Sequence, residues 1–327
     1  MSSQNSAHLL VESLRRATGE ANPSLVTSVI PSLLRGIGRT AAALRTAHSV
    51  EQAGSQNVFG DAQLNVDVLA ERFFREELAA CPAVVAASSE EDPVEVSTGT
   101  AQEAEVYAVA FDPLDGSSII APNWAVGSIL GVWEGPSALR QHPRQQIAAV
   151  LGVYGPRTTA VIAVRVPGRE HTAVCVEVGI SDAAGSSYEI IRSDVRLAEG
   201  SKTRYFAPAN LRAASEDPRY MGLVTRYIAE RYTLRYSGGL VPDVVHALVK
   251  GHGVYLSPVT AGSKAKLRRA FELLPVALVV ECAGGQAIDP ADGRRILETP
   301  LNDLDETAGL VCGTTEEVER VKAALLG

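Results

Sequence analysis

The sequence predicts an α/β protein built from packed layers of helices and sheets, and three observations support this class. The chain has 327 residues, about two domains' worth, which is enough to bury a large core without disulfides or structural metal. Only 5% of the residues are aromatic, whereas alanine, valine and glycine are abundant, which favours tightly packed layers over an aromatic-rich β-sandwich. Segments with helical apolar spacing lie on both sides of a series of strand-like runs.

The N-terminal part of the chain begins with a polar segment, residues 1–24, which predicts a flexible arm. Apolar side chains then recur at helical spacing from Leu25 to Leu44, and Pro31 predicts a kink or a break between two helices. After a loop, Asp61 occupies the N-cap position of another predicted helix.

The rest of the chain alternates between strand-like and helical patterns. The strand-like runs are 83–87, 106–111, 126–133, 147–154, 158–166 and 173–178. A polar, charged stretch then predicts a domain boundary, so we expect an N-terminal domain over 25–198 and a C-terminal domain over 199–327. The helical runs beyond this boundary are 219–232, 241–250 and 264–283. A capping-box pattern at 314–317 predicts the start of a last helix.

Charge and composition exclude several classes of protein. The formal net charge is −8 with no basic run, which argues against a nucleic-acid partner, because such affinity depends mainly on lysine and arginine. No apolar stretch approaches the roughly 18 residues of a membrane span, so no membrane partner is expected. The cysteines form no metal-binding pattern, and we expect buried thiols in a reducing compartment, with the cytoplasm as the default location. They are Cys81, Cys175, Cys282 and Cys312.

The segment 109–118 carries the most specific chemical pattern. A buried strand delivers Asp112 and Asp115 onto a turn fixed by Pro113. Gly116 then lets the backbone turn closely, so that the amides and hydroxyls of the two following serines can face an anion. Two carboxylates would repel a phosphate unless hard cations lay between them, and Mg²⁺ takes oxygen ligands while leaving positions for phosphate and water. The segment therefore predicts a magnesium-assisted phosphate site.

Other acids are predicted to gather at the same place. Glu90 and Glu91 also follow a strand, and if that strand is a parallel neighbour of the first, both loops open at the carboxyl edge of one sheet, where α/β proteins bind ligands. Asp67 lies between two valines, and Glu272 lies in an apolar segment beside several bases. Ordinary interpretations are a solvated loop for the paired glutamates, a boundary residue for Asp67 and an exposed ion pair for Glu272. The segment 235–239 joins two helices, and its arginine and tyrosine suit hydrogen bonds to a phosphate.

At these residues the sequence resembles the class I fructose-1,6-bisphosphatase family, and within it the sedoheptulose-1,7-bisphosphatases. The similarity extends from about residue 25 to residue 327. The strings that carry it are 59–61, 65–69, 89–91, 111–118, 154–159, 234–243, 264–272 and 283–285. The resemblance implies a sugar-phosphatase fold, in which alternating α-β-α-β-α layers contain mixed sheets, and a sugar bisphosphatase activity.

The resemblance also implies the residues of the site. The metal ligands would be the carboxylates of Glu90, Asp112, Asp115 and Glu272 and the main-chain carbonyl of Leu114. They would hold two or three Mg²⁺ ions per site, with Mn²⁺ as a substitute.

Catalytic and substrate-binding roles follow from the same resemblance. Asp67 and Glu91 fall on the pair that orients and deprotonates the attacking water, and Asp61 falls on a mobile loop that closes over the site. Arg235 matches an arginine that reaches into a neighbouring subunit's site, which implies a homodimer or homotetramer. The sugar bisphosphate would contact Asp115, Gly116, Ser117, Ser118, Asn210, Arg235, Tyr236 and Lys266.

Two departures from the fructose enzymes bear on the substrate. Those enzymes have tyrosines where this sequence has Ala213 and Ser257, and we interpret both changes as room for a seven-carbon sugar. The implied reaction is Mg²⁺-dependent hydrolysis of the 1-phosphate of sedoheptulose 1,7-bisphosphate, giving sedoheptulose 7-phosphate and phosphate. A fructose-1,6-bisphosphatase, or an enzyme that accepts both sugars, is the alternative.

More distant alternatives and two regulatory devices are disfavoured. An inositol-monophosphatase-type enzyme shares the Asp-Pro-Leu-Asp-Gly pattern, but the segments around Arg235 and Lys266 suit a second phosphate. A non-catalytic regulator would be expected to lack an essential acid. Val106 replaces a lysine of the family's nucleotide-inhibitor site, so we expect no strong inhibition by AMP. Val50 and Ser55 replace the redox-switched cysteines of the chloroplast enzymes, so we expect no thiol switch.

Overall fold

The structure is a computed structural model that describes residues 3–57, 60, 62–98, 105–139, 141–182, 185–198 and 200–327. The helices are α1 (Ser3–Thr18), α2 (Ile30–Thr46), α3 (Asn65–Ala79), α4 (Ser117–Ile120), α5 (Pro218–Ala229), α6 (Leu240–Lys250), α7 (Leu274–Cys282) and α8 (Thr315–Leu326). The π-helical turns Leu25–Val29 and Arg269–Leu273 lead directly into α2 and α7.

Six strands match the predicted strand-like runs, and the other strands of the described residues were not predicted. The strands are β1 (Gln52–Gln56), β2 (Ala62–Leu64), β3 (Val84–Ser89), β4 (Val96–Ser97), β5 (Tyr107–Asp115), β6 (Val126–Glu134), β7 (Gln146–Tyr154), β8 (Thr158–Val164), β9 (Val174–Ile180), β10 (Tyr188–Arg192), β11 (Tyr205–Pro208), β12 (Thr233–Leu234), β13 (Val254–Ser257), β14 (Leu267–Arg268), β15 (Gln286–Ile288), β16 (Thr307–Ala308) and β17 (Leu310–Gly313).

Two mixed sheets organise these strands. The first has the order β10-β9-β8-β7-β6-β5-β3-β4, in which β3 and β5 are parallel and the other neighbours are antiparallel. The second has the order β12-β11-β13-β17-β15 and contains the parallel pairs β12–β11 and β11–β13. Two short ladders, β1–β2 and β14–β16, lie outside these sheets. The proposed domain division at residues 198 and 199 falls between β10 of the first sheet and β11 of the second.

Helices and sheets alternate in five layers. Helices α1, α2 and α3 pack on one face of the first sheet, α6 and α7 fill the space between the sheets, and α5 and α8 cover the outer face of the second sheet. Successive side chains of β5 point to opposite faces of the first sheet. Val109 and Phe111 pack against the layer of α1, α2 and α3, whereas Ala110 packs against the layer between the sheets. The predicted α-β-α-β-α layering with mixed sheets is confirmed.

The N-terminal segment differs from its prediction. Residues 3–18 form α1, and Leu10, Leu14 and Ala17 on one face of this helix are buried against the first core. The side-chain amide of Asn22 then donates to Tyr107 Oη and Glu134 Oε1, at 3.2 Å each. The expectation of a flexible arm is therefore wrong for residues 3–24, because a narrow apolar face is enough to dock an otherwise polar helix.

The boundaries of two predicted helices also change. The segment 264–283 begins with three residues outside any helix or strand, forms strand β14 and passes through a π-helical turn before α7 starts with Pro275 in its first turn. Proline is tolerated in the first turn because a backbone N–H there would have no intrahelical acceptor. Helix α3 begins at Asn65 rather than directly after Asp61, and Asp61 itself lies outside the described residues. In the described part of the chain, no helix is long and apolar enough to cross a membrane.

Candidate active site

Three carboxylates meet at the carboxyl edge of the first sheet. The parallel pairing of β3 with β5 confirms the expected arrangement, so Glu90 at the end of β3 lies beside the last residues of β5. The backbone N–H of Glu90 donates to the carbonyl of Phe111 at 3.0 Å. Glu272 reaches the same place from the π-helical turn before α7. One carboxylate oxygen each from Glu90, Asp112 and Glu272 lies within 4.8 Å of the other two.

Repulsion within this cluster is only partly offset by the protein, through an ion pair of 4.0 Å between Arg268 and Glu90. Burial raises the pKa of Asp112 well above its ordinary value, and the charges of Glu90, Asp115 and Glu272 raise it further. Burial and then the Glu90 charge also raise the pKa of Glu272, although a hydrogen bond of 2.5 Å from the backbone N–H of Arg268 opposes the shift. Crowded, buried carboxylate oxygens are the donors that a hard divalent cation prefers, so the residues fit Mg²⁺.

Asp115 lies outside the three-carboxylate cluster. Its two carboxylate oxygens accept backbone N–H groups at the N-terminus of α6, from Leu240 at 3.2 Å and from Val241 at 2.7 Å. Burial raises the pKa of Asp115 to about 6, and these hydrogen bonds oppose the shift. Gly127, opposite Asp115 in β6, permits the contact, since a Cβ there would lie 2.4 Å from the Cβ of Val241. Asp115 therefore links the turn after β5 to α6, which lies in the layer between the sheets.

One cavity of about 600 Å³ brings most of the predicted residues together. The predicted residues that line it are Asp67, Glu90, Glu91, Asp112, Leu114, Asp115, Gly116, Ser117, Ser118, Lys266 and Glu272. Further lining residues that were not predicted are Asn57, Gly238, Ala265, Leu267, Arg268 and Thr307. The cavity thus combines an acidic cluster with the side chains of a lysine and an arginine.

The turn after β5 has the form expected of an anion site. Gly116 has a φ of 99°, in the left-handed region that favours glycine, and it precedes the short helix α4. The backbone N–H groups at the start of this helix have no intrahelical partners and can bind an anion. The end of β5 that precedes this turn is fixed by hydrogen bonds. Ser128 Oγ donates to the Pro113 carbonyl at 2.6 Å and lies 2.6 Å from Tyr154 Oη.

Asp67 has the properties of a general base. Its Oδ2 accepts the backbone N–H of Leu64 at 2.9 Å, whereas its buried Oδ1 has no hydrogen-bond partner among the described residues. Burial raises the pKa of Asp67 to about 7, and the charge of Glu91 contributes to the rise. The side-chain amide of Gln63 donates to Glu91 and orients that carboxylate. A carboxylate with a pKa near 7 and an available oxygen can take a proton from water near neutral pH.

A network from α3, not foreseen in the sequence, fixes the loop that carries Glu90. The guanidinium of Arg75 donates to the carbonyl of Ala87 at 2.8 Å and forms an ion pair with Glu71 at 2.7 Å. Ser89 Oγ donates to Glu71 at 2.9 Å and accepts the backbone N–H of Asp92 at 3.0 Å. The only sequence signal was the four-residue spacing of Glu71 and Arg75, which is typical of any exposed helix ion pair.

Three residues implied to bind substrate lie away from the cavity lining. Asn210 donates to the Pro258 carbonyl at 2.6 Å, and Arg235 donates to the Leu234 carbonyl at 2.7 Å. Tyr236 is 45% exposed. Ala213 is fully buried, so it marks tight packing rather than open space beside the cavity.

Tyr107, next to Val106 at the position matched to the family's nucleotide-inhibitor site, is enclosed by the protein's own side chains. Tyr107 is fully buried, and its hydroxyl donates to Glu105 at 2.9 Å and accepts from Asn22 at 3.2 Å. Glu134 also accepts from the Asn22 amide. Two carboxylates at this position would repel a nucleotide phosphate. The absence of strong AMP inhibition stays a prediction.

Comparison with known proteins gives consistent matches. Two family models match the chain, "Fructose-1-6-bisphosphatase, N-terminal domain" over residues 8–179 and "Fructose-1-6-bisphosphatase, C-terminal domain" over residues 200–326. The chain is 36% identical to the chloroplastic sedoheptulose-1,7-bisphosphatase of Spinacia oleracea, over 97% of this chain and 78% of that protein. It is 37% identical to the class 1 fructose-1,6-bisphosphatase of Syntrophotalea carbinolica, over 82% of this chain and 79% of that protein.

Solved structures share the fold. A Toxoplasma gondii protein named provisionally as a sedoheptulose-1,7 bisphosphatase superposes with a TM-score of 0.86 at 36% identity, covering 97% of this chain and 98% of its own. The fructose-1,6-bisphosphatase of Leishmania major superposes with a TM-score of 0.81 at 23% identity, covering 94% and 95% of the two chains.

Fold, cavity and relatives together define the class of the protein, a phosphoric monoester hydrolase of the sugar-bisphosphatase type. More narrowly, the chain belongs to the fructose-1,6-bisphosphatase family, whose N-terminal and C-terminal models between them match most of its length.

The raised pKa of Asp67 predicts a pH-dependent gain in stability for Asp67→Asn. The wild-type carboxyl, with a folded pKa of about 7 against an ordinary 3.8, loses stability as the pH rises through this range. At about 1.4 kcal/mol per pKa unit, the upper bound on this loss is about 4 kcal/mol. We therefore expect Asp67→Asn to raise the free energy of unfolding at pH 8 but to have little effect at pH 4, as measured by urea denaturation. An equal effect at both pH values would contradict this assignment.

The crowded carboxylates predict metal-dependent stabilisation. Mg²⁺ should raise the Tm of the wild-type chain, since a ligand that binds only the native state stabilises it by about 2.7 kcal/mol at 100 times its Kd. Asp112→Asn should raise the Tm without metal, because it relieves repulsion, and should remove most of the Mg²⁺-induced shift. Calorimetry with and without Mg²⁺ measures both effects.

The exposed carboxyl of Asp303 provides the matched control for this experiment. Asp303→Asn should retain the full Mg²⁺-induced shift. A shift of the same size in Asp112→Asn and in the control would show that the cluster is not the metal site.

Proposed function

We propose that this protein is a Mg²⁺-dependent phosphatase that removes the 1-phosphate of sedoheptulose 1,7-bisphosphate, giving sedoheptulose 7-phosphate and phosphate. The observation that carries the proposal is the meeting of the Glu90, Asp112 and Glu272 carboxylates with the Gly116 turn and Lys266 in one cavity. The relatives named as sedoheptulose-1,7-bisphosphatases, which match 97% of this chain, support the choice of substrate.

Each group in the cavity has a role in this reaction. Glu90, Asp112 and Glu272, with the carbonyl of Leu114, would hold Mg²⁺, and the bound metal supplies charge that lowers the pKa of water and stabilises the leaving oxygen. Asp115 fixes the turn whose serines and backbone amides receive the oxygens of the scissile phosphoryl group.

Asp67 and Lys266 complete the mechanism. Asp67 Oδ1 accepts a proton from the attacking water, and its pKa of about 7 leaves it in the basic form above neutral pH. Glu91 orients the same water. The Lys266 ammonium binds the part of the bisphosphate that is not hydrolysed. Phosphoryl transfer of this kind requires positioning and charge stabilisation rather than a covalent nucleophile.

We further propose a homo-oligomer in the cytoplasm. Arg235 lies in an exposed turn after β12, where it can approach a neighbouring copy of the chain, as the family resemblance implies for a homodimer or homotetramer. The four cysteines are buried and free, which is typical of proteins in reducing compartments.

Fructose 1,6-bisphosphate is the second candidate substrate. Class 1 fructose-1,6-bisphosphatases match 82% of this chain at up to 37% identity. In addition, Ala213 is completely buried and so provides no open space for a longer sugar. The argument for a seven-carbon sugar therefore depends mainly on Ser257.

Phosphate release from the two sugar bisphosphates tests the proposal. We expect kcat/KM to be about tenfold higher for sedoheptulose 1,7-bisphosphate, a difference of about 1.4 kcal/mol, and both activities to disappear with a chelator. A preparation of Asp67→Asn controls for contaminating phosphatases, because it should have lost its general base. A preference for fructose bisphosphate would overturn the choice of substrate, and hydrolysis of neither sugar with Mg²⁺ would overturn the function.

A further inference from the structure

The side chain of Asn210 is committed to a neighbouring loop. Asn210 itself occupies the N-cap position of the 3₁₀ turn Leu211–Ser215, with a φ of 49°. Its Nδ2 donates to the Pro258 carbonyl at 2.6 Å and lies 3.5 Å from the Ser263 carbonyl, and its Oδ1 accepts from Ser263 Oγ. The amide therefore has both its donor and its acceptor engaged by the loop over residues 258–263.

Glu216, just after the same 3₁₀ turn, holds the same loop. The backbone N–H of Gly262 donates to Glu216 Oε2 at 2.9 Å. A Cβ at Gly262 would lie 2.6 Å from Glu216 Oε1, so this contact depends on the glycine. Within the loop, Thr260 and Ser263 exchange backbone hydrogen bonds of 3.0 and 3.2 Å. We call Asn210 and Glu216 the loop clamp.

The clamped loop leads directly into the active-site cavity. Beyond Ser263, the chain passes through Lys264 and Ala265 to Lys266, which lines the cavity. It is fixed again at Leu267, which pairs with Ala308 in the β14–β16 ladder. Residues 264–266 are thus a short bridge between two anchors, and the clamp is the anchor on the N-terminal side.

The position of the Lys266 ammonium depends on this bridge. In the described part of the chain, no acid forms an ion pair with Lys266, and its side chain is exposed. A flexible lysine side chain loses conformational freedom when it binds a ligand, so a backbone that is fixed at both ends reduces the cost of binding.

We propose that the loop clamp positions Lys266 for the sugar bisphosphate, and that Glu216 is a positioning residue for the reaction although it does not line the cavity. The inference rests on the proposed function, in which Lys266 binds the part of the substrate that is not hydrolysed. Loss of the clamp should therefore weaken substrate binding and leave hydrolysis at the acidic cluster intact.

Kinetics of Glu216→Ala with two substrates test this proposal. We expect KM for the sugar bisphosphate to rise about tenfold with kcat within about twofold, the size expected for losing a hydrogen bond to a charged group. With p-nitrophenyl phosphate, which has no second phosphate, kcat/KM should not change. Glu216→Gln retains an acceptor oxygen and should restore most of the affinity. Glu12→Ala, which removes an exposed glutamate from α1, is the matched control.

A double-mutant cycle identifies the residue through which Glu216 acts. In a Lys266→Met background, Glu216→Ala should raise KM by less than about twofold, because residues that act through one contact are not additive. Gly262→Ala displaces Glu216 and leaves Asn210 in place, so it should reproduce the effect of Glu216→Ala. If Glu216→Ala fails to fold, Gly262→Ala tests whether the loop clamp positions Lys266.

The outcomes separate the clamp from the proposed function. If Lys266→Met leaves KM unchanged, the substrate contact of the proposed function fails. If Lys266→Met raises KM but neither Glu216→Ala nor Gly262→Ala does, the proposed positioning role of the loop clamp is overturned. Equal effects of Glu216→Ala in both backgrounds, or equal losses with p-nitrophenyl phosphate, would also overturn it.

Discussion

Repulsion among the crowded carboxylates of Glu90, Asp112 and Glu272 is the constraint on which the rest of the site depends. Their oxygens lie within 4.8 Å of one another, and burial raises the pKa of the two that are most enclosed. A folded chain can keep such a group only if other interactions hold each member in place. Each carboxylate belongs to a different element, and each of these elements has its own anchor.

The anchors are hydrogen bonds that connect the layers of the fold. Arg75 and Glu71 of α3 hold the loop after β3, and Ser128 of β6 holds the irregular end of β5 that carries Asp112. The Arg268 backbone N–H holds Glu272, and Asp115 receives the N-terminus of α6. The site therefore lies where the helical layers on both faces of the first sheet contact its edge. The fold holds the carboxylates in place against their repulsion, and a bound divalent cation would offset that repulsion.

The sequence predicted the parts of this arrangement that depend on local pattern. Six of the eight strands of the first sheet followed from apolar runs, and the glycine turn at Gly116 followed from turn residues. The gathering of acids after β3 and β5 was predicted on the condition that these two strands are parallel neighbours, and the structure meets that condition. The strands and the turn could be predicted because each is encoded within about ten contiguous residues.

The features that the sequence did not predict depend on distant contacts. The docking of α1 depends on a narrow apolar face within a polar segment, and the roles of Arg75 and Glu216 depend on loops that are remote in sequence. Asn210 was expected to touch the substrate, but in the structure its amide is engaged by Pro258 and Ser263. Such long-range hydrogen bonds leave no periodic signal in a single sequence.

The most direct measurement of the central claim is anomalous X-ray diffraction from crystals of the protein grown with Mn²⁺, which replaces Mg²⁺ at oxygen-ligand sites and can be located by its own scattering. The account predicts an anomalous peak among the carboxylates of Glu90, Asp112 and Glu272. An enzymatically active crystal with no peak there, or with its metal bound at another place, would contradict it.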